Sequence, residues 1–409
     1  MLLILLAACA GEDPGDSPAP ADDTGNTQVV DADTDTDADT DADSDTDTDT
    51  DADLAAYEAL YDYDVLQQIR LTISAADQDL LRQDGGTYVP ATFEHDGVVI
   101  EEVGVRIKGS STLREWDGKP SLKVKLNEYV DGQLYGGCEM LTLNNMADDV
   151  TQAHEVLGYA LLREGGQLAP RATFAQVWVR TDEAAEWEYR GLYTNLEQVD
   201  ERFLRHRDID DGGTLWEAND SSDFTATGLQ HFELVWGEDD RSDLDDVREA
   251  IFSQDFWADA NEVVDMDQFL RFWGWRIAIG DRDGYPYVLN DYFVYDDPAD
   301  GRFDFSPWGI DESWDTGMTW DAVGGILGEK CTRDTTCVEG LYAATSDALA
   351  AYEAADPESL AQRLFDLTET AALDDTRRTW TIAEVEAGRT RLRHYAGLWP
   401  DMVRTRMGL

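Results

Sequence analysis

The sequence predicts an α+β fold with two lobes, a first lobe rich in sheet and a second lobe that is mostly helical. In the first half, short runs of alternating apolar and polar residues are separated by turns such as Asp84-Gly85-Gly86 and Asp96-Gly97. In the second half, apolar residues recur at helical spacing over long stretches. A run of strands followed by a run of helices is typical of α+β proteins. A cleft between two such lobes is a common ligand site.

The first lobe is assigned to residues 57–215. Its strands are predicted at 65–74, 88–95, 98–108, 121–126, 171–180 and 189–197, with the last two in the same sheet as the others. A helix is predicted at 150–163, where Leu157 and Leu161 share one apolar face. Gly165-Gly166 follows this helix as a stop signal.

The second lobe is assigned to residues 216–409. Helices are predicted at 243–252, at 267–279 and over most of 345–407. A pair of strands, at 290–295 and 303–308, interrupts these helices.

The first nine residues are predicted to be an export signal that ends in a lipid anchor. An apolar run, MLLILLAA, precedes Cys9, and it is too short to span a bilayer, which takes about 20 residues. Leu6-Ala7-Ala8-Cys9 is similar to the bacterial lipobox, in which the cysteine is acylated after cleavage. We therefore expect an exported protein of the bacterial cell envelope, on the outer membrane or cell surface, that touches the membrane only through its lipid.

Residues 10–56 are predicted to be a disordered acidic tether. Asp occupies every odd position from Asp31 to Asp53, alternating mostly with Thr and Ala, so the segment has no apolar face to bury. The alternative is calcium binding, since alternate Asp is similar to the start of an EF-hand loop. The repeat lacks the turn Gly and the closing Glu of that loop, which favours a solvated spacer.

The distribution of charge argues against nucleic-acid binding and indicates a binding site for a smaller anion. The chain has 87 acidic and 31 basic residues, a net charge of −56, so no nucleic-acid partner is expected. Only five residues are Lys, and four of them lie between Lys108 and Lys125. Alternation along two predicted strands places Arg106 and Lys108 on one face, and Lys123 and Lys125 likewise. A solvated strand face is the alternative, but the clustering indicates a site for a polyphosphate.

The four cysteines indicate one disulfide. Cys331 and Cys337 are six residues apart with turn-forming residues between them, which predicts a small disulfide loop in an oxidising compartment. Cys138 is then left as a buried thiol. His154-Glu155 is not followed by a second His four positions later, so a zinc-hydrolase motif is not supported.

A second set of polar residues follows the helix at 267–279. Phosphoryl transfer needs a carboxylate to accept the hydroxyl proton and further oxygens to hold magnesium. Asp283, Asn290 and Asp311 could supply these groups from loops at the ends of the strand pair. In a chain this rich in Asp, proximity by chance is the alternative explanation.

A series of short motifs runs through the chain from Val65 to Asp315. The motifs are, in order, Val103-Gly104-Val105-Arg106-Ile107-Lys108-Gly109-Ser110-Ser111, Lys119-Pro120-Ser121-Leu122-Lys123, Arg163-Glu164-Gly165-Gly166, Ala169-Pro170, Gly191-Leu192-Tyr193, Glu197-Gln198-Val199-Asp200, Phe203-Leu204, Gly213-Thr214-Leu215-Trp216, Asp283-Gly284-Tyr285, Asn290-Asp291-Tyr292-Phe293-Val294-Tyr295 and Pro307-Trp308-Gly309-Ile310-Asp311. In this order and spacing they resemble the CotH family of spore-coat proteins, which are atypical secreted protein kinases.

The resemblance implies a two-lobed, kinase-like fold that transfers phosphate from ATP to Ser or Thr of an envelope or extracellular protein, with Mg²⁺ or Mn²⁺. Arg106, Lys108 and Lys123 would hold phosphates, and Glu197 would orient a lysine. Asp283 would be the catalytic carboxylate. Asn290 and Asp311 would hold the metal.

Two positions depart from the family pattern. Gly309 stands where the family's "PWDxD" motif has its first Asp, and Asp281 stands where the family often has Asn. If the residue at 309 is an essential metal ligand, the chain would be an inactive surface scaffold or adhesin, which is the alternative function. Asp281 would compensate if it adds a carboxylate nearby.

Overall fold

The structure is a computed structural model that describes residues 51–109 and 112–409. The predicted lipidation site, Cys9, and most of the predicted tether lie outside the described residues. Across the two described ranges, no helix is both long enough and apolar enough to cross a membrane.

Seven strands of the first lobe form a closed barrel in the order β1-β2-β3-β4-β5-β7-β6. They are β1 (Leu66–Thr72), β2 (Val89–His95), β3 (Val98–Lys108), β4 (Ser121–Lys125), β5 (Met140–Asn144), β6 (Ala172–Arg180) and β7 (Glu188–Glu197). The barrel closes through the parallel pair β1–β6. Its interior is apolar and includes Val105, Val124, Leu141 and Val177. The prediction that the last two strands belong to the same sheet is confirmed.

Four helices accompany the barrel: α1 (Asp51–Leu60), α2 (Ala75–Gln83), α3 (His154–Glu164) and α4 (Glu201–Arg205). Helix α1 begins inside the range assigned to the tether, because Tyr57 and Leu60 bury their side chains in the barrel core. Helix α3 begins four residues later than predicted. Asp149 explains this start, since its carboxylate accepts hydrogen bonds from the backbone N–H groups of Ala153 and His154, both within 2.8 Å.

The second lobe is built on a four-stranded antiparallel sheet in the order β11-β10-β8-β9. Its strands are β8 (Thr214–Ala218), β9 (Phe232–Trp236), β10 (Tyr292–Asp297) and β11 (Arg302–Pro307). Its helices are α5 (Ser242–Ile251), α6 (Phe256–Val263), α7 (Met266–Ile279), α8 (Ile326–Cys331), α9 (Thr335–Ala354), α10 (Pro357–Asp374) and α11 (Ile382–Met407). The predicted strand pair is present as β10 and β11, and β8 and β9 extend it. The α+β, two-lobed prediction is confirmed.

Helix α7 organises the second lobe. Twelve of its fourteen residues are buried, and it packs against α9, α11 and β11. The structure contains the disulfide predicted between Cys331, at the end of α8, and Cys337, in the first turn of α9. Cys138 is a free, buried thiol.

The loop between α10 and α11 ties the two lobes together. The Asp375 carboxylate accepts a hydrogen bond from Lys119 Nζ at 2.7 Å and from the backbone N–H of Leu192 at 3.2 Å. Both charged side chains are buried, at 5% and 0% exposure. Gly191 makes this approach possible, because it has φ +131° and a Cβ there would lie 2.6 Å from an Asp375 oxygen. One of the four clustered lysines is therefore structural.

Candidate functional site

Four cations line the outer surface of strands β3 and β4, and we call Arg106, Lys108, Lys123 and Lys125 the basic face. The two strands pair antiparallel, with Arg106 directly opposite Lys123. Residues directly opposite each other in a sheet share a face. Their neighbours Val105 and Val124 are opposed in the same way and fill the barrel interior. The predicted arrangement, with cations on one face and apolar residues on the other, is therefore present.

The basic face is largely shielded from water. Arg106 and Lys123 are only 8% and 4% exposed. The Arg106 guanidinium lies 5.3 Å from the centre of the Tyr88 ring, and Lys125 Nζ lies 3.7 Å from a Glu128 carboxylate oxygen. Since charges attract more strongly away from water, an anion that enters here would be held more firmly than at an exposed lysine cluster.

The second lobe reaches the end of the basic face through Trp308. Lys108 Nζ lies 6.0 Å from the centre of the Trp308 ring. Trp308 follows strand β11 directly, and its backbone N–H donates to the Asp291 carbonyl at 3.1 Å. The loops that carry the predicted acidic residues therefore begin next to Lys108.

Three carboxylates on these loops form what we call the carboxylate cluster, made of Asp283, Asp291 and Asp311. Burial, followed by the negative charge of Glu312, raises the pKa of Asp283 to about 6. Burial, followed by the charge of Asp149, raises the pKa of Asp311 to about 6. Burial and the charge of Asp283 raise the pKa of Asp291 well above its usual range. Negative charge is therefore concentrated here, and a cation would relieve it.

The backbone of the two loops is held by side chains of both lobes. His154 Nδ1, on α3 of the first lobe, donates to the Asp311 carbonyl at 2.7 Å. Arg276, on α7, donates from Nη2 to the Asp291 carbonyl at 2.5 Å. Asn290 donates its side-chain amide to Asp291 Oδ2 at 2.9 Å, so the predicted metal-binding amide lies against a carboxylate.

Asp281 has a structural role that the sequence did not indicate. Its side chain is fully buried and forms an ion pair with Arg276. It also accepts a hydrogen bond from the backbone N–H of Asp283 at 3.1 Å. A Cβ at position 284 would lie 1.9 Å from the Arg276 guanidinium, which explains Gly284. Asp281 therefore positions Asp283, and its own carboxylate is paired with Arg276.

The structure corrects the role predicted for Glu197. Glu197 lies opposite Leu141 on the neighbouring strand, and Leu141 lies opposite Val124, so all three face the barrel interior. The basic face is on the other side of the sheet. Glu197 is therefore not placed to orient a lysine of the basic face as predicted, because the strand register turns its side chain inward.

Two arginines hold the Glu197 carboxylate inside the barrel. Arg171 Nη1 and Arg207 Nη2 each donate to it at 2.7 Å, and the Tyr57 hydroxyl donates at 2.9 Å. Burial alone would raise the pKa of Glu197, but the charges of Arg207 and Arg171 outweigh burial and lower the pKa to about 2. Glu197 is thus part of a buried ionic network at one end of the barrel.

Glu155, in the first turn of α3, is a site residue that sequence reasoning missed. Its carboxylate accepts a hydrogen bond from the Asn144 side chain of β5 at 2.9 Å. Burial, followed by the charge of Asp311, raises the pKa of Glu155 to about 8, while the positive charge of Lys108 acts in the opposite direction. Glu155 thus lies close enough to both the basic face and the carboxylate cluster for their charges to act on it. The sequence feature that could have identified Glu155 is the presence of a charged residue in a predicted helix that is otherwise largely apolar.

We expect the substitution Glu155→Gln to stabilise the protein at alkaline pH. Glutamine keeps the acceptor for Asn144 without a charge. A carboxyl whose pKa is raised on folding lowers stability as the pH rises from about 4.5 towards 8, and this loss disappears in the variant. Thermal unfolding should show a gain of at least about 2 °C at pH 8 and a smaller gain at pH 5.5. Glu164→Gln, at the exposed end of the same helix, is the control. Equal gains at both pH values would contradict this expectation.

The donor set fits a metal that is completed by phosphate oxygens. Within residues 51–109 and 112–409, no three His, Cys, Asp or Glu side chains are grouped closely enough to hold a metal by themselves. Magnesium in phosphoryl-transfer sites is bound by one or two carboxylates together with substrate phosphates and water. Asp311 and the carboxylates beside it supply oxygen donors of this type, so magnesium or manganese fits the chemistry of the site.

Comparison with known proteins identifies the family. The family described as CotH kinase protein matches residues 105–360, more than half of the chain. The chain belongs to the CotH kinase family. The match begins on strand β3 at the basic face, includes the whole carboxylate cluster and ends in α10. Both halves of the candidate site therefore lie in the CotH region, and the resemblance indicated by the ordered motifs is confirmed.

One curated relative and one solved structure are also similar. The inner spore coat protein H of Bacillus subtilis (strain 168) is 25% identical over 229 residues, which are 52% of this chain and 58% of that protein. The chain thus matches less than two thirds of the length of this CotH relative. A chain from the complex of HipA, HipB and operator DNA of a Shewanella oneidensis MR-1 toxin–antitoxin system is 11% identical, with a TM-score of 0.35 over 83% of this chain and 74% of that chain. This structural similarity is too low to bear on function.

Proposed function

We propose that this CotH protein is an ATP-dependent protein kinase that phosphorylates Ser or Thr of an envelope or extracellular protein. One observation carries the proposal: the basic face of the first lobe and the carboxylate cluster of the second lobe meet across Lys108, Glu155 and Trp308. Phosphoryl transfer needs cations around the phosphates and carboxylates around the metal and the attacking hydroxyl.

Different residues of the site have different roles in the proposed reaction. Arg106, Lys108 and Lys123 hold the phosphates of ATP, and Glu155 orients Lys108. Asp311 and Asn290 would hold the metal, which would supply positive charge to neutralise the phosphate oxygens. Asp283 accepts the proton of the acceptor hydroxyl. The hydroxyl oxygen forms a bond to the γ-phosphorus while the bond to the bridging oxygen breaks, and ADP leaves.

The location is proposed from the relative and from the N-terminal sequence. The relative is a spore coat protein. Together with the lipobox-like segment before Cys9, this supports a protein that acts outside the cytoplasm and meets the membrane through a lipid alone. Its protein substrate would then be another component of the envelope or cell surface.

Gly309 favours a second candidate function. With Gly in place of the family Asp, the fold would serve as a surface scaffold or adhesin without catalysis. The two candidates differ in whether phosphate is transferred.

The test is a transfer assay with the full-length chain. The protein is incubated with γ-³²P-labelled ATP, Mg²⁺ or Mn²⁺, and dephosphorylated casein as a generic Ser- and Thr-containing acceptor. We expect label on casein or on the protein itself, recovered as phosphoserine or phosphothreonine. Nucleotide binding without any label would support the scaffold, and the absence of both would contradict a nucleotide site. Binding is read from the melting temperature, since a ligand at 100 times its Kd stabilises by about 2.7 kcal/mol.

A further inference from the structure

Gly309 occupies a position where there is no room for a side chain. It has φ +53°, and a Cβ built on it would lie 2.8 Å from Asp291 Cγ and 3.0 Å from each of the two carboxylate oxygens. Side-chain atoms do not approach this closely in folded proteins without a shift of one partner. The Asp291 carboxylate therefore fills the space into which a residue at 309 would extend.

The sequence shows the same exchange. Position 309 has Gly where the CotH motif "PWDxD" has Asp. Position 291, 18 residues earlier in the chain, is an Asp within the motif Asn290-Asp291-Tyr292-Phe293-Val294-Tyr295. The carboxylate that is absent at 309 is thus matched by one at 291, and the structure brings these two positions into contact.

Asp291 is held firmly in this orientation. Its backbone has φ +56°, a conformation that Asp tolerates better than most residues. Its carbonyl accepts hydrogen bonds from Arg276 and from the Trp308 backbone, and its carboxylate accepts one from Asn290. The carboxylate is therefore preorganised, as a metal ligand needs to be.

A buried hydroxyl without a hydrogen-bond partner lies near the carboxylate cluster. Tyr159, on α3, is 0% exposed, and its hydroxyl has no hydrogen-bond partner within the described part of the chain. Glu155, Arg276 and Asp291 all act electrostatically on this hydroxyl, so it lies near the carboxylate cluster. Buried polar groups are rarely left without a partner, and those that are commonly mark a bound water or ion.

We propose that Asp291 is the metal-binding carboxylate that replaces the family's acidic residue at position 309. The site then keeps two metal-binding carboxylates, Asp291 and Asp311, and Gly309 is the change that makes room for the first of them. This inference rests on the proposed function, because it concerns the metal of the same site.

The test is Mn²⁺ binding, measured by electron paramagnetic resonance on the full-length chain with and without a non-hydrolysable ATP analogue. Asp291→Ala is expected to weaken Mn²⁺ binding by roughly 10–100-fold. Gly309→Ala removes no charge and no ligand, yet it is expected to have an effect of similar size, because its Cβ displaces the Asp291 carboxylate. The double variant Asp291→Ala with Gly309→Asp returns the carboxylate to its family position and should restore binding to within about threefold of wild type.

Gly301→Ala is the matched control for the glycine substitution. Gly301 also has positive φ, +71°, but no atom lies within 4 Å of its Cβ position. Both alanine variants place a Cβ on a backbone with positive φ and so share the same conformational cost, and only the one at 309 should lose metal. Asp291→Asn keeps the shape of the side chain but removes its charge. It replaces Asp291→Ala in the Mn²⁺-binding measurement if the alanine variant does not fold, and the same loss of binding is expected.

The outcomes separate this inference from the proposed function. Wild-type Mn²⁺ affinity in both Asp291 variants would overturn the inference and leave the kinase proposal standing. Loss of affinity in the Asp291 and Gly309 variants, in a wild type that transfers no phosphate, would support the inference and overturn the kinase. A wild type that binds no Mn²⁺ under either condition would overturn the inference.

Discussion

Asp283→Asn is expected to lower the rate of phosphate transfer by about 10³-fold, within the range of 10²–10⁴ typical for loss of a general base. Asparagine keeps the shape of the side chain and cannot accept the proton of the acceptor hydroxyl. Asp283 is half-buried at the edge of the carboxylate cluster, and its backbone is fixed by Asp281 and Gly284. The measurement is a single-turnover assay with γ-labelled ATP, in which the chemical step is observed directly.

A second acidic residue provides the control for Asp283. Asp304, on strand β11, also has a pKa that burial raises, to about 7, and its acidic neighbours Asp265 and Asp297 lie outside the cluster. Asp304→Asn should leave the rate unchanged. The nucleotide-dependent shift in melting temperature should persist in both variants, because neither residue holds phosphate. Equal rates for wild type and Asp283→Asn would remove Asp283 from the catalytic role.

Glu197→Ala is expected to destabilise the protein by about 3–5 kcal/mol, the cost of leaving buried charges without their partner. The substitution leaves Arg171 and Arg207 facing each other inside the barrel without the carboxylate that both of them bind. The free energy of unfolding, from urea titration at pH 7, measures the effect. Because the pKa of Glu197 falls to about 2 on folding, its contribution is complete above about pH 4.5 and is lost as the pH falls towards 2.

Glu58→Ala is the control for this second substitution. Glu58 also pairs with Arg171, but its side chain is 48% exposed. Exposed ion pairs contribute at most about 1 kcal/mol, so this variant should remain close to wild type. A Glu197→Ala protein with wild-type stability and impaired transfer would instead support the kinetic role that the family resemblance implied for Glu197.

The basic face could be predicted from the sequence because it depends only on local alternation. Strand β3 has the predicted bounds, and β4 ends one residue before its predicted end. The pairing of Arg106 with Lys123 follows once these two neighbouring strands form a hairpin-like pair. The two-residue period of side chains along each strand, together with the short distance between the strands in the sequence, was sufficient to predict the basic face.

The role of Glu197 could not be predicted in the same way. The face on which it lies depends on its register with β5, Met140–Asn144, a strand that the sequence analysis did not recognise. This strand is five residues long and follows no clear alternation, so neither its presence nor its register was visible. A shift of one residue in register would have turned Glu197 towards the lysines.

Glu155 and Asp291 were missed because their roles depend on contacts between distant parts of the chain. Asn144, Lys108 and Asp311, which act on Glu155, come from three other elements and from both lobes. The role proposed for Asp291 depends on the lack of a side chain at Gly309. In an Asp-rich sequence a single additional Asp carries almost no signal, and only the packing distinguishes it.

In the proposed site, ATP phosphates and a metal bind between the basic face and the carboxylate cluster. A crystal structure of the full-length chain with Mn²⁺ and a non-hydrolysable ATP analogue, with anomalous scattering to locate the metal, would show whether they do. We predict phosphates in contact with Arg106, Lys108 and Lys123, and one Mn²⁺ bound to the carboxylates of Asp291 and Asp311. Nucleotide bound elsewhere, or a cleft without metal at saturating Mn²⁺, would contradict this proposal.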